Sequence, residues 1–449
     1  MNSSTPIDQL NPAQRDAVRA SATHQLILAG AGSGKTQVLV HRIAWLIQRH
    51  QVPPHAILAV TFTNKAAREM RERIETLLGH DIRQMWVGTF HGLAHRLLRL
   101  HWRDADLAED FQILDSDDQQ RLIKRTLREL GLNEEQWPAR QAQWFINAQK
   151  DEGIRPNRIE PQGDRQLATL VEIYQAYEAA CQRANVIDFA ELLLRAHELW
   201  LNHPELLHHY QNRFRHLLVD EFQDTNSIQY AWIRLLAGGG ARVTAVGDDD
   251  QSIYGWRGAR IENIHRFSRD FADVQTVRLE QNYRSTATIL DAANAVIARN
   301  RERLGKALWT DGSPGEPIAL YTAYNEEDEA RFVVGQIRQQ LAQGLACREI
   351  AILYRSNAQS RLLEEALLRA GIAYRIHGGQ RFYERLEIKN ALAYLRLMLN
   401  RHDDTSLERV LTAPPRGIGG KTLELLRSEA RGQQWSLWRA MQQMVTARA

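Results

Sequence analysis

The sequence predicts an α/β protein: a parallel sheet built around a phosphate-binding loop, interrupted by an inserted helical domain and followed by a second, shorter α/β alternation. Three observations carry this. The stretch Ala29-Gly30-Ala31-Gly32-Ser33-Gly34-Lys35-Thr36 stands between an apolar run, Leu26-Ile27-Leu28, and an amphipathic run from Val38 to Ile47. Short β-type runs recur at 25–28, 57–62, 86–89, 216–219, 243–246 and 277–279. Between the third and fourth, about 93 to 213, strand signal nearly vanishes and apolar residues fall at helical spacing, as in Leu122, Ile123, Leu127 and Leu130.

Strand, glycine loop and helix in that order make a phosphate cradle. Glycines let backbone N–H groups turn inward toward phosphate oxygens. Gly30, Ala31, Gly32, Ser33, Gly34, Lys35 and Thr36 are therefore candidate nucleotide contacts; Lys35 would reach the terminal phosphates and the Thr36 hydroxyl would hold Mg²⁺. Ala29 stands where the pattern usually begins with glycine. The alternative is an ordinary glycine turn ahead of a helix.

The first α/β domain is expected over about 1–90 and 214–280, with the helical insertion at 91–213. A second alternation begins near Glu316: strand 318–321, helix 328–341, strand 350–354, helix 358–370 and strand 373–376. It has only about three strands, so 281–377 reads as part of a second α/β domain. From about His377 the signal is helical, and 378–449 reads as the start of a helical subdomain in which the chain breaks off.

The chain has 449 residues, too many for one ordinary core. A net charge of +3 permits nucleic-acid binding without arguing for it. Cys181 and Cys347 lack metal-ligand spacing, which suits a reduced, cytoplasmic protein. The polar N-terminus lacks a signal-peptide core, and no apolar run approaches the length of a membrane span.

Leu217-Leu218-Val219-Asp220-Glu221 is an apolar strand ending in two carboxylates. In a nucleoside triphosphatase the first binds Mg²⁺ and the second is general base to the attacking water; adjacent carboxylates could instead cap the next helix. Phe62, His91, Tyr254 and Trp256 sit at or just beyond expected strand ends, where flat side chains can stack on unpaired bases. Taken singly, each reads first as core. Thr63 and Arg257 beside them could hold phosphates. Asp248-Asp249-Asp250 lacks a His or Glu cluster at nuclease spacing. It reads as one aspartate in the catalytic water network, with the others solvating or capping a turn. The basic run Arg299 to Arg303 could touch DNA, but reads first as a solvated helix face. Pro415-Arg416-Gly417-Ile418-Gly419-Gly420-Lys421-Thr422 could be a simple glycine turn, or a helix-hairpin-helix turn whose N–H groups, with Lys421, meet a duplex phosphate.

Quoted in order, Leu10-Asn11-Pro12-Ala13-Gln14, AGAGSGKT (29–36), AVTFTNKAA (59–67), WVGTFHG (86–92), VDEFQDT (219–225), VGDDDQSIYGWRGA (246–259), LEQNYRS (279–285) and AILYRSN (351–357) resemble the superfamily 1A DNA helicases of the UvrD type. Eight blocks in the right order, from about residue 8 to the end, are too many for accident. The resemblance implies RecA-like motor domains. It makes Gln14 an adenine reader, Tyr283 an adenine-stacking ring, Gln251 a γ-phosphate sensor and Arg284 one of two arginines neutralising the γ-phosphoryl group. It favours DNA contact for Trp256 and Phe62, leaves His91 and Tyr254 open, and tilts Gly417, Gly419 and Lys421 toward duplex DNA. Gln37 replaces a residue that is basic in many relatives.

Two later family segments, Thr-Leu-His-x-x-Lys-Gly-Leu-Glu and Val-Thr-Arg-Ala, are not found, and the second carries the other arginine. By resemblance the parent is an ATP-dependent 3′–5′ helicase of DNA repair acting on single strands and single/double-strand junctions. It would work with repair proteins, in the cytoplasm and on the nucleoid. These residues alone are expected to bind Mg-ATP and DNA, to hydrolyse ATP slowly and not to unwind. The competing reading is an ATP-gated DNA-binding or regulatory module without motor activity.

Overall fold

A computed structural model describes residues 6–21, 24–301, 303–377, 386–433 and 435–446. The first residues of the polar N-terminus, Glu302 of the basic run and the expected junction at 377/378 lie outside or at the edge of these ranges. The chain forms two compact units, Met1–Glu316 and Pro317–Ala449.

Among the described residues there are eight strands: β1 (His24–Ala29), β2 (Ile57–Thr61), β3 (Trp86–Thr89), β4 (Gln112–Ile113), β5 (Val186–Ile187), β6 (His216–Val219), β7 (Arg242–Gly247) and β8 (Val274–Leu279). Six form a sheet ordered β3-β2-β6-β7-β1-β8, and every pairing in it is parallel. Parallel strands need crossovers and are covered on both faces, which is why β1, β2 and β6 are largely apolar and wholly buried. Alternate residues serve opposite faces. Leu26, Leu28, Leu58, Val60, Leu217 and Val219 enter one core; Ile27, Ala29, Ile57, Ala59, Leu218 and Val246 enter the other. β8 lies at the edge and turns Gln275, Thr276 and Arg278 to solvent, which protects an unpaired ladder. This parallel order leaves the C-terminal strand ends, and the loops after them, on one rim.

The inserted segment is helical, as its spacing requires. Helices Ser116–Glu129, Ala139–Asp151 and Arg165–Ala184 bury Ile123, Leu127, Ile146, Ile173, Tyr174 and Tyr177 in a core of their own. The parallel pair β4–β5 also occurs here; two residues per strand are too short to leave a periodic signal. Helices Phe90–Leu100 and Phe189–Asn202 instead send Leu93, Leu97, Leu193 and Trp200 into a core shared with the sheet. Lys150 is buried between Asp188 (2.7 Å) and Glu191 (2.9 Å). Burial opposes its charge, but the two carboxylates outweigh that and its pKa is raised.

In the second unit the helices Glu326–Ala342 and Ser360–Arg369 form where expected, around Val334, Ile337 and Leu367. The three strands expected there do not. Among the described residues of this unit no strand occurs. Ile350, Ile352 and Ile372 rest on the helices, whereas Leu320 and Leu353 are each 94% exposed. Apolar alternation supplies one face of a strand, but a strand also needs a hydrogen-bonded neighbour, and these segments have none. Four further helices, Leu386–Leu399, Asp404–Thr412, Gly420–Gly432 and Leu437–Thr446, include the packed residues Leu407, Leu426, Ala430 and Leu437. No helix among the described residues is long and apolar enough to cross a membrane.

Asp151, at the end of the helix Ala139–Asp151, accepts from Asn226 Nδ2 (3.0 Å). Burial, then Asp188 and Glu152, pushes its carboxyl up to about 7. An unfolded aspartate titrates near ~3.9, so the native state holds the extra proton between those values. Stability from this group therefore falls as pH rises through that window. Asp151→Asn should raise the thermal midpoint more at pH 8 than near pH 5; an equal or opposite shift at the two pH values would overturn the assignment.

Candidate nucleotide site and its aromatic rim

The loop after β1 turns through Gly32 (φ +67°) and Gly34 (φ +87°), a left-handed backbone that side chains disfavour. A side chain there would also have to displace its neighbours. A Cβ on Gly32 would stand 2.6 Å from Asn282 Nδ2, and one on Gly34 would stand 2.7 Å from Gln14 Nε2. The helix Lys35–His50 starts directly after Gly34, so its first N–H groups face the loop.

A loop that points N–H groups inward leaves its carbonyls needing donors. Ser33 Oγ donates to Gly30 O (2.7 Å) and Asn282 Nδ2 to Ala31 O (2.6 Å). Tyr283 N donates to Gly32 O (3.0 Å) and Gln14 Nε2 to Ser33 O (2.8 Å). Gln14 Oε1 meanwhile accepts from Asn11 N (3.1 Å). Both ends of its amide are engaged with the loop and its own helix start, so pairing with adenine requires releasing one of them.

Lys35 Nζ lies 3.3 Å from Glu221 Oε2, and Thr36 Oγ1 donates to Asp220 Oδ2 (3.3 Å). The sheet order explains the meeting: β7 alone separates β1 from β6. The two carboxylates differ. Asp220 is buried, and burial pushes it up to about 6; Glu221 adds to the rise, while Lys35 and hydrogen bonds from Glu221 N and Thr36 restrain it. Glu221 has φ +50°, a strained conformation of the kind that collects at functional sites. Asp224 nearby is pushed up to about 7 by burial and then by Glu221, and its Oδ1 is buried without a hydrogen-bond partner. A hydroxyl and a carboxylate form a hard oxygen donor set of the kind Mg²⁺ takes.

Tyr283 is 57% exposed, leaving its ring free to stack, while its hydroxyl accepts from Asn11 Nδ2 (2.7 Å) and donates to Gln281 Oε1 (2.8 Å). Arg284 is exposed beside the loop; its Cβ would stand 2.8 Å from a Cβ on Gly32. Gln251 Nε2 donates to Asp248 Oδ2. The site residues expected at the loop, the β6 end and the segment after β8 are thus brought together, with Gln251 joined to Glu221 through Asp248 N, Gln223 Oε1 (2.9 Å) and Gln223 Nε2 to Glu221 Oε2 (2.8 Å).

Along the same rim Phe62 stacks on Tyr254 with ring centroids 5.0 Å apart, Tyr254 meets Trp256 at 6.3 Å, and Arg257 lies over both rings. Trp256 is 75% exposed. Thr63 Oγ1 accepts from Ala66 N (3.1 Å), capping the next helix. His91 packs edge-on against Phe189 (6.0 Å), and burial lowers its pKa to about 4, so it would meet a ligand as a neutral ring. Gly417 (φ +73°), Gly419 at the N-cap and Lys421 in the first turn of Gly420–Gly432 form a turn in the second unit.

Residues 10–272 match the UvrD/REP helicase N-terminal domain and residues 277–445 the UvrD-like helicase C-terminal domain. The chain belongs to the UvrD-like helicase family. It is 61% identical to DNA helicase II of Escherichia coli (strain K12) over 100% of this chain and 62% of that protein. It is 56% identical to DNA helicase II of Haemophilus influenzae over 98% and 61%, and 45% identical to the ATP-dependent DNA helicase PcrA of Leuconostoc citreum over 96% and 58%. The chain spans about three-fifths of the length of these relatives.

Two sequence readings need correction in this UvrD-like chain. Asp248 does cap the turn Asp249–Gln251, accepting from Asp250 N (3.1 Å), but Asp248 and Asp249 are buried, not solvating, and all three aspartates pair with Lys306: Asp248 at 2.6 Å, Asp249 at 2.5 Å and Asp250 at 2.9 Å. Nor is the basic run wholly a solvated face, since Arg303 forks onto Asp250 (3.0 and 2.7 Å). Sequence reasoning also missed Asn282, which lay unremarked inside LEQNYRS. Its Oδ1 accepts from Arg284 N and Ser285 N (2.7 Å each) while its Nδ2 holds the loop. Asn282→Ala should loosen loop and Arg284 together and weaken Mg-ADP binding about tenfold, on the scale of one or two lost hydrogen bonds; unchanged affinity by fluorescent-nucleotide titration would refute this.

Proposed function

We propose that the chain is the ATP-binding and single-strand-binding portion of an ATP-dependent 3′–5′ DNA helicase acting in DNA repair. The observation that carries this reading is Lys35 and Thr36 facing Glu221 and Asp220 across a glycine loop, on a rim that continues into Phe62, Tyr254 and Trp256. The direction of movement and the repair role rest on the family resemblance.

ATP sits with its phosphates in the loop and its base against Tyr283. Thr36 and Asp220 would hold Mg²⁺, which would supply positive charge to the phosphate oxygens. Glu221 takes a proton from the attacking water, and Lys35 and Arg284 neutralise charge on the γ-phosphoryl oxygens. Gln251 donates its amide to the γ-phosphate and so ties nucleotide state to Tyr254 and Trp256, three and five residues onward. The rings take bases without reading sequence. Residues 1–90 and 214–280 serve as the first motor domain, 91–213 as the insertion, 281–377 as the first part of a second motor domain and 378–449 as a duplex-contacting subdomain through Gly417, Gly419 and Lys421. An arginine finger is worth about 10³–10⁵ in turnover, and Arg284 is the single one matched within these 449 residues. The 449-residue chain alone should therefore hydrolyse slowly.

The test is ATP hydrolysis with and without single-stranded DNA, beside Lys35→Ala. Tight Mg-nucleotide binding with slow turnover, both lost in Lys35→Ala, is expected. Nucleotide-dependent DNA affinity without any DNA-stimulated turnover, even with the remaining C-terminal portion supplied, would favour the ATP-gated switch instead. Trp256→Ala should weaken single-stranded DNA binding by about 1–3 kcal/mol and leave Mg-ADP binding unchanged; unaltered DNA affinity in fluorescence anisotropy would remove the ring from the interface.

A further inference from the structure

We propose that Arg303–Trp309 is a strap holding the γ-phosphate-sensing amide of Gln251 in register with the phosphate loop, with Lys306 as the positioning residue that acts through Asp248. This rests on the nucleotide-site reading above.

The Lys306 side chain is 2% exposed and enclosed by three carboxylates. Its ammonium fills the place a metal would take among Asp248, Asp249 and Asp250, the cluster otherwise suited to a cation. Burial works against its charge, but Asp248 and its neighbours outweigh that and its pKa is raised. A buried ion pair adds little net stability over an apolar replacement, whereas it does fix the geometry of the groups it touches. The group fixed most directly is Asp248. One of its oxygens takes Lys306 (2.6 Å) and the other takes the Gln251 amide. With both oxygens engaged, Asp248 cannot rotate without breaking one contact, so Lys306 sets the Gln251 rotamer.

The rest of the strap is anchored along its length. Arg303 forks onto Asp250 and also donates to Lys306 O (2.6 Å). Leu304 N donates to Asp249 Oδ2 (2.6 Å). Leu308 Cδ2 stands 2.1 Å from where a Cβ on Gly30 would be, so the strap closes on the loop and a larger residue at Gly30 would have to displace the Leu308 side chain. Trp309 O then accepts from Asn282 N (2.7 Å), the residue that clips Ala31 and orders Arg284. Seven residues thus span from the sensing glutamine to the candidate arginine finger.

The test compares Mg-ADP with a non-hydrolysable Mg-ATP analogue, both titrated fluorescently against the 449-residue chain. The variants are Lys306→Met, Lys306→Arg, Gln251→Ala and the double variant Lys306→Met/Gln251→Ala. Lys306→Met should keep ADP affinity within about twofold and lower analogue affinity about tenfold, the scale of a lost hydrogen bond to a charged group. It should cost nothing further once Gln251 is alanine, and Lys306→Arg should restore part of the loss. Equal loss for both nucleotides, or loss that adds to that of Gln251→Ala, would reduce Lys306 to a structural prop and overturn the proposal. If Lys306→Met does not fold, Lys306→Met/Asp249→Asn keeps the local charge balance and carries the same readout. A wild-type chain that binds neither nucleotide overturns the nucleotide-site reading and the strap with it; wild-type discrimination that survives in the variants overturns the strap alone.

Discussion

Four consecutive carbonyls, Gly30 to Ser33, impose the constraint on which the site depends. A loop that turns its N–H groups toward an anion must turn its C=O groups away, and buried carbonyls require donors. The chain meets that need from three separate places. The loop's own Ser33 serves Gly30, the segment after β8 serves Ala31 and Gly32 through Asn282 and Tyr283, and the first long helix serves Ser33 through Gln14. Any shift of the helix Pro12–Arg19 or of the β8 edge therefore reaches the loop. The residues suited to grip a base and a γ-phosphate, Tyr283 and Arg284, follow directly from the one that fixes the backbone.

The carboxylates around this loop are sorted by their surroundings. Asp220 lies deep at the β6 end and resists ionising, which suits a group that waits for a cation. Glu221, one residue on, is turned by a left-handed backbone onto Lys35. The acidic triple after β7 is different again, because Lys306 and Arg303 already satisfy it. Similar residues thus differ in charge state and contacts according to which cation reaches them.

The same division appears in the inserted helices. Their core is apolar along one side, but Lys150, Asp188 and Glu191 form a buried charged knot joined by Arg155 and Tyr177. Asn226 and Arg260 tie the start of the helix Ser227–Ala237 and the loop before Glu262–Asp270 to Asp151 and Glu152 in that domain. The insertion is therefore bonded close to the aromatic rim: Arg260 lies three residues after Arg257.

Local pattern alone determined the phosphate loop, the six strands of the main sheet and the helical character of the insertion, because each depends on spacing within a few residues: glycine positions, apolar runs, a 3.6-residue repeat. It also marked Lys35, Thr36, Asp220 and Glu221 as chemistry-bearing, whereas Phe62 and Trp256 read singly as core and were drawn toward DNA by the family resemblance. Tertiary structure decided what spacing cannot express. Whether 318–321, 350–354 and 373–376 become strands depends on neighbours remote in sequence, and among the described residues they have none. Whether Asp248–Asp250 face water or a cation depends on Lys306, more than fifty residues away. Asn282 carried no visible signal, because a hydrogen bond to Ala31 spans 251 residues of sequence and exists only once β8 lies beside β1.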